Sequence, residues 1–414
     1  MRKQGGVLSK LKGDKLPRGR GGRSPASQAR EVSERARAWL RGGAALTSLN
    51  WGVGGRPSAS LEGKLCAASR SPPWPFSESS SDAPYMARHV GLRVGVPQET
   101  PALTVNRLCG SGFQSIVSGC QEICVKDAEV VLCGGTESMS QAPYCVRNAR
   151  FGTKLGSDLK LEDILWSGLT DQHVQLPMAI TAENLAVKYN ISREDCDKYA
   201  LQSQQRWKAA NDAGYFNNEM VPIEVKTKKG KQMMQVDEHA RPQTTLEQLN
   251  KLPPVFKKGG TVTAGNASGI SDGAGAVIIA SEDAVKKHNF TPLARIVGYF
   301  ASGCDPSIMG IGPVPAINGA LKKTGRSLKD MDLVEVNEAF APQYLAVQKS
   351  LDLDPSKTNV NGGAIALGHP LGGSGTRIMA HLVHELRRRG GRYAVGSACI
   401  GGGQGIAVII ESTA

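Results

Sequence analysis

Two cysteines and a histidine stand in glycine-rich surroundings: Cys109 in VNRLCGSG, His369 in GGAIALGHPLGGSG and Cys399 in CIGGGQG. Glycine lets backbone N–H groups approach a ligand closely and permits positive φ. In such loops one thiol can carry an acyl group, a second can move a proton, and an imidazole can act as base. Together they point to chemistry on a thioester. Cys120, Cys124 and Cys133 are of the same type but fit better as packing positions on a helix and a strand than as a zinc site. No metal is expected. His288, His381 and His384 read as surface or packing residues.

The elements that must position the reactive residues form a diverged internal repeat. TVNRLCGSG runs into the apolar-periodic FQSIVSGCQEICVKD and then AEVVLCGG, while NVNGGAIALGHPLGGSG runs into TRIMAHLVHELRRRG and then RYAVGSACIGG. Each reads as loop, helix, buried strand and glycine turn. A further strand pair matches, GAGAVIIAS near 273–281 and GQGIAVIIES near 404–412. Two related α/β halves are therefore expected, 79–290 and 291–414, with reactive loops from each meeting at one site. Cys109 precedes a helix beginning near Gly112, a positive end that favours thiolate. Residues 138–262 read as an insertion into the first half, holding a long helical segment and the Lys-rich VKTKKGKQ. Such loop subdomains often carry specificity.

The second half opens with strand ARIVGYFASG, helix PVPAINGALKKTG and the buried strand that runs into NEAFA. By the repeat, the first half should open with a similar β-α-β unit. Residues 1–78 show no β-branched run of strand length, so that unit is expected to be missing and replaced by a basic leader. The net charge of +13 is concentrated there: residues 1–80 hold 15 Lys/Arg against 5 Asp/Glu, leaving 35 against 32 in the remainder. The charge reads as a solvated tail, with a transit peptide as the alternative. No folded basic motif accompanies it, so nucleic-acid binding is not expected. Nine cysteines without C-x-x-C read as free thiols in a reducing compartment. No apolar run reaches membrane-span length.

VNRLCGSG, NEAFA, GHPLGGSG and CIGGGQG, in that order over residues 79–414, resemble the signature blocks of thiolases. The resemblance implies the thiolase fold, two β-α-β-α-β halves in five layers, assembled as a homodimer or homotetramer. It implies cleavage of a 3-ketoacyl-CoA by CoA to acetyl-CoA and a shortened acyl-CoA, as in fatty-acid β-oxidation, reversible as a Claisen condensation. Cys109 would be the nucleophile, His369 its base and a donor to the thioester oxygen, and Cys399 the acid/base at the α-carbon. That last role needs a thiol titrating not far above neutrality. Asn337 would hold a water that joins His369 in one oxyanion site, and Gly401 and Cys109 would supply N–H groups to another. DEHARPQTT matches the family's nucleotide-binding stretch, so Arg241 and Thr244 would border the adenine and phosphate end of CoA, and Ser268 would bond the pantetheine. Met178 would line the acyl pocket. Coenzyme A enters as co-substrate, and no permanently bound cofactor is implied. The resemblance also implies a mitochondrial matrix location. The C-terminal ESTA lacks a Ser-Lys-Leu ending.

Two rivals remain open on the residues. A cysteine hydrolase would use Cys109, His369 and Asn337, leaving Cys399 and the CoA stretch idle. A chain impaired by its altered beginning would keep the site residues but lose their support.

Overall fold

In the computed structural model the described residues are 44–47, 63–69, 83–227 and 230–413. Nine strands form the main sheet: β1 (Ala44–Thr47), β2 (Gly63–Ser69), β3 (Ala102–Val105), β4 (Val130–Ser138), β5 (Asp272–Ala280), β6 (Ala294–Gly303), β7 (Leu333–Val336), β8 (Tyr393–Ile400) and β9 (Gln404–Ser412). Their order is β7-β8-β9-β6-β1-β5-β4-β2-β3. Read outward from the β6–β1 pair, β6-β9-β8-β7 mirrors β1-β5-β4-β2. The repeat foreseen in the sequence is thus a structural one: β4 answers β8 and β5 answers β9. In both halves the outer pairs are parallel, β2 with β4 and β7 with β8, and the inner pairs antiparallel.

The opening of the first half departs from expectation. Two described strands, β1 and β2, come from the stretch that was expected to supply none. β1 runs antiparallel to both β5 and β6, and β2 lies parallel between β3 and β4. AALT and GKLCAAS are poor strand sequences by propensity. The sheet overrides this, because unpaired strands flanking each gap would leave rows of N–H and C=O groups without partners. Whether a helix joins these strands into a complete β-α-β unit concerns residues outside those described.

Seven helices support or border the site: α1 (Met86–Arg93), α2 (Ser111–Cys124), α3 (Met178–Lys188), α4 (Arg193–Asp212), α5 (Pro313–Thr324), α6 (Ala341–Leu351) and α7 (Ser374–Arg388). α1 forms where ARHVGLRVG suggested a short helix ending before Pro97. α2 packs on β4 and β2, α7 on β8 and β5, and the two helices pack on each other. Their contact is made by glycines. A Cβ on Gly112 would lie 2.6 Å from Thr376 N, and one on Gly375 would overlap Phe113 N. Only side-chain-free residues let the two backbones approach this closely. Because these glycines stand at the starts of both helices, the loops entering α2 and α7 are brought side by side.

One apolar cluster spans α3, α4, α5, α6 and strands β6 to β9, with Ile317, Val347, Val395 and Ile409 fully buried. Cys120 is fully buried in α2 and accepts on its carbonyl from Cys124 Sγ at 2.8 Å, a turn later, as packing positions do. Burial pushes the Cys120 thiol far up and Cys124 to about 11, so both stay as neutral thiols. Between β4 and β5 the chain runs through residues 139–271, which carry α3 and α4. α4 begins with a capping box, Ser192 with Asp195.

Candidate active site

Cys109 lies in a single 3-10 turn, Leu108–Gly110, between β3 and α2. Local bonds fix this turn: Asn106 Oδ1 accepts from Leu108 N at 2.9 Å, and Ser111 Oγ donates to Leu108 O at 2.7 Å. Arg107 N donates to the same hydroxyl at 2.8 Å. Leu108 is held at φ +48°, an uncommon conformation for a residue with a Cβ, directly before the candidate nucleophile. Cys109 itself is 3% exposed and packs with Met139 and Leu371. Leu371 stands two residues beyond His369, so the two reactive loops touch. The N-terminus of α2, just past the thiol, offers N–H groups and a positive dipole end to an anion formed there.

His369 is buried and its ring is held at both nitrogens. Nδ1 lies 2.6 Å from Ser374 Oγ, and Nε2 lies 3.2 Å from Asn337 Nδ2. Ser374 Oγ donates its own hydrogen to Pro370 O at 3.0 Å. It must therefore accept from Nδ1–H, which leaves the Nε2 lone pair to accept from Asn337. This tautomer has a basic nitrogen facing the site. Ser374, the first residue of α7, had no signal in the sequence beyond its place at a helix start. The His369 loop is secured by its backbone N donating to Gly269 O at 3.3 Å and by Gly368 at φ +89°. A Cβ at Gly368 would overlap Ser271 Oγ.

Asn337 directly follows β7, whose four residues are all buried. Its N–H donates to Ser397 O at 2.9 Å, which ties NEAFA to β8. Next to it, the buried Glu338 carboxylate accepts from Tyr199 Oη at 2.6 Å, Ser203 Oγ at 2.7 Å, Asn359 Nδ2 at 3.0 Å and Ile365 N at 3.1 Å. Four donors satisfy the charge, and two of them come from α4. Glu338 therefore locks the excursion of the first half onto the NEAFA turn of the second, a role the sequence did not reveal.

Cys399 is the penultimate residue of β8, fully buried and paired with Gly405 of β9. It packs with Met178, Met309 and Ala339. Burial pushes its thiol well up, and the neighbouring Cys109 and Cys304 add to this. The expectation of a thiol titrating not far above neutrality is corrected here. At rest Cys399 holds its proton, because burial removes the solvent that would support a charge on the sulfur. Gly401 begins the turn after β8. A Cβ there would lie 3.0 Å from Leu108 Cδ1 and overlap Met178 Cε. Gly401 thus sits beside the Cys109 turn, and Met178 covers both.

Of the three residues assigned to CoA, Ser268 adjoins Gly269, whose carbonyl holds the His369 loop. Ser268 donates from N and Oγ to Ala339 O at 3.0 and 2.9 Å, so its hydroxyl keeps lone pairs for a ligand while bracing NEAFA. Arg241 and Thr244 close one turn, Thr244 N donating to Arg241 O at 3.0 Å, with the Arg241 side chain exposed. Arg241 N donates to Gln204 Oε1 of α4 at 2.8 Å. Between them stands His239, against Gly269 and 3.6 Å from where a Gly368 Cβ would be. Burial and the Arg241 charge hold its imidazole below the ordinary value. Like Ser374, His239 carried no signal of its own in the sequence.

The site therefore offers a thiol at a helix start, a second protonated thiol, an oriented imidazole with a carboxamide, and a basic turn farther out. Comparison with known proteins gives the family. Models of the thiolase N-terminal and C-terminal domains match residues 77–283 and 290–412. The chain belongs to the thiolase family. Among curated thiolases it is 90% identical over 337 residues to human "3-ketoacyl-CoA thiolase, mitochondrial", covering 81% of this chain and 85% of that one. It is 48% identical over 325 residues to "Acetyl-CoA acetyltransferase" of Rhizobium meliloti, covering 78% and 82%. Two solved thiolase structures superpose closely. The crystal structure of human mitochondrial 3-ketoacyl-CoA thiolase aligns with a TM-score of 0.83 at 80% identity over 92% of both chains. The same human thiolase in complex with CoA aligns at 0.81, with 84% identity over 86% of this chain and 87% of that one.

Proposed function

We propose that this chain is an acyltransferase that cleaves a 3-ketoacyl-CoA with CoA, giving acetyl-CoA and an acyl-CoA two carbons shorter. The observation that carries the reading is the convergence of Cys109, His369, Asn337, Cys399 and Gly401 at one buried place, reached from two halves of the chain. His369 Nε2 takes the Cys109 proton, the sulfur attacks the 3-keto carbon and the C2–C3 bond breaks. The pair of electrons moves onto the acetyl-CoA enolate, whose oxygen faces His369 and Asn337. Cys399, protonated at rest, gives its proton to C2. Free CoA then attacks acyl-Cys109 with His369 or Cys399 as base, and the N–H groups of Cys109 and Gly401 support the tetrahedral oxyanion. The hydrolase alternative has no use for a protonated thiol beside the nucleophile.

Arg241 and Thr244 meet the adenine and phosphate end of CoA, His239 and Ser268 border the pantetheine, and Met178 lines the acyl pocket. The curated relatives of high identity are named mitochondrial, and we place this chain in the matrix as a homodimer or homotetramer acting in fatty-acid β-oxidation. No described helix is long and apolar enough to cross a membrane. We divide the chain into a first half that ends at residue 290, takes in β1 and β2 and carries the CoA-binding excursion 138–262, and a second half 291–414. The test is intact-protein mass after mixing the chain with a medium-chain 3-ketoacyl-CoA and no free CoA. An acyl increment is expected, lost on adding CoA and absent in Cys109→Ser. A soluble chain that takes no increment overturns the activity and points to impairment by the altered beginning.

A further inference from the structure

We infer that Gln343 is a positioning residue that sets which end of the Asn337 carboxamide faces the reaction. The inference rests on the roles proposed for Asn337 and His369. The NEAFA turn is fastened along its backbone: Asn337 N to Ser397 O, Ala339 O to Ser268, and Ala341 N to Asn266 O at 2.8 Å. Gln343, in the first turn of α6, completes this by accepting on Oε1 from Ala339 N at 3.1 Å. Its stem is wedged below Gly310, where a Cβ would come within 2.5 Å of Gln343 Cγ. Both Asn337 and Gln343 are buried, at 1% and 0% exposure.

Two side-chain atoms of this turn have no hydrogen-bond partner among the described residues: Asn337 Oδ1, an acceptor, and Gln343 Nε2, a donor. Buried polar groups are almost always satisfied, and each one left over calls for an explanation. The two leftovers are complementary and belong to one turn. A donor and an acceptor left over in one turn can satisfy each other, directly or through a bridging water, and in the arrangement inferred here Nε2 serves Oδ1 in this way. The consequence falls on the reaction. With Oδ1 turned to Gln343, the carboxamide must present Nδ2 to His369 Nε2, as observed at 3.2 Å. Rotated the other way, it would set an oxygen against the Nε2 lone pair and against the negative charge that grows on the enolate oxygen. Gln343 touches neither substrate nor reacting atoms; it acts through Asn337.

The test separates the two oxyanion sites. Cleavage of acetoacetyl-CoA by CoA builds charge on the enolate oxygen facing Asn337. Exchange of labelled CoA into acetyl-CoA passes only through acyl-Cys109 and the N–H groups of Cys109 and Gly401. Gln343→Glu keeps an acceptor for Ala339 N but, once ionised, loses the donor. Cleavage at pH 8 is expected to fall roughly ten- to hundredfold, the worth of one buried hydrogen bond, with exchange unchanged. Gln343→Met, which can neither donate nor carry charge, should show the same split. An equal fall of cleavage and exchange in both variants, or cleavage at the parent rate in both, overturns the inference. Absence of exchange in the parent protein overturns the underlying site assignment instead, and the inference with it.

Discussion

Strands β4 and β8 hold matching places in the two halves, yet the chain leaves them in different ways. After Ser138 it makes an excursion over residues 139–271 before returning as β5; after Ile400 three glycines turn it directly into β9. The short turn can hold Cys399 and Gly401 rigidly beside Leu108, because two paired strands leave it no freedom. The long excursion instead supplies α4, His239, Arg241 and Ser268, which reach the site from outside. On the proposed function, a duplicated framework is used once for reacting groups and once for a cover that meets the ligand. The helices show the same division: α2 follows a thiol and α7 an imidazole, on the same loop-helix-strand unit.

This contrast can be broken most completely at the proposed nucleophile. Cys109→Ala should lower thiolysis on the order of 10⁴-fold or more in initial-rate assays, with the fold unchanged by circular dichroism. Next in size is the seam between the halves. Gly375→Ala puts a methyl against the backbone of Phe113, which cannot rotate away, and should destabilise the protein by about 3 kcal/mol in urea titration. Gly390→Ala, at φ +65° with open space around it, should lose only about 1 kcal/mol. Equal losses at both positions would show that the seam is not where the halves are held.

Ser374→Ala frees His369 to change tautomer. With His369 in the two roles proposed for it, oxyanion support and base, cleavage and CoA exchange should both fall, by roughly tenfold. That joint loss sharpens the distinction from Gln343, for which only cleavage should suffer.

The smallest effect belongs to α7, away from the chemistry. Burial would lower the His381 pKa, but the Glu219 charge and hydrogen bond, with Glu335 behind it, outweigh burial and raise it to about 8. Asn361 holds the other ring nitrogen, and Arg377 opposes the charge. A histidine raised in the folded state contributes in full below its ordinary 6.5, and the contribution disappears as pH rises through 8. Unfolding free energy should therefore drop by about 2 kcal/mol between pH 6.5 and 9. His381→Phe should remove that slope while activity at pH 8 is retained.

Much of this was visible in the chain itself. Glycines around Cys109, His369 and Cys399 mark loops, and helix and strand periodicity in between marks the repeat; both are local patterns. Ser374, His239 and Glu338 escaped because serine, histidine and glutamate are common residues. Their importance lies in partners that can be as far away as Tyr199 is from Glu338. The beginning of the first half was illegible for a related reason. AALT and GKLCAAS carry little strand preference of their own, and become strands through the edges they complete.

The sequence by itself determined the reactive side chains, the helices whose starts they precede, and the duplication that pairs them, since each depends on residue type and short spacing. Tertiary structure decided which atoms meet and in what protonation state. The His369 tautomer follows from Ser374 and Pro370, the neutral Cys399 thiol from its complete burial, and the facing of Asn337 from the turn that carries it. Desolvation and hydrogen-bond geometry depend on neighbours brought together from hundreds of residues apart, and only folding supplies those neighbours.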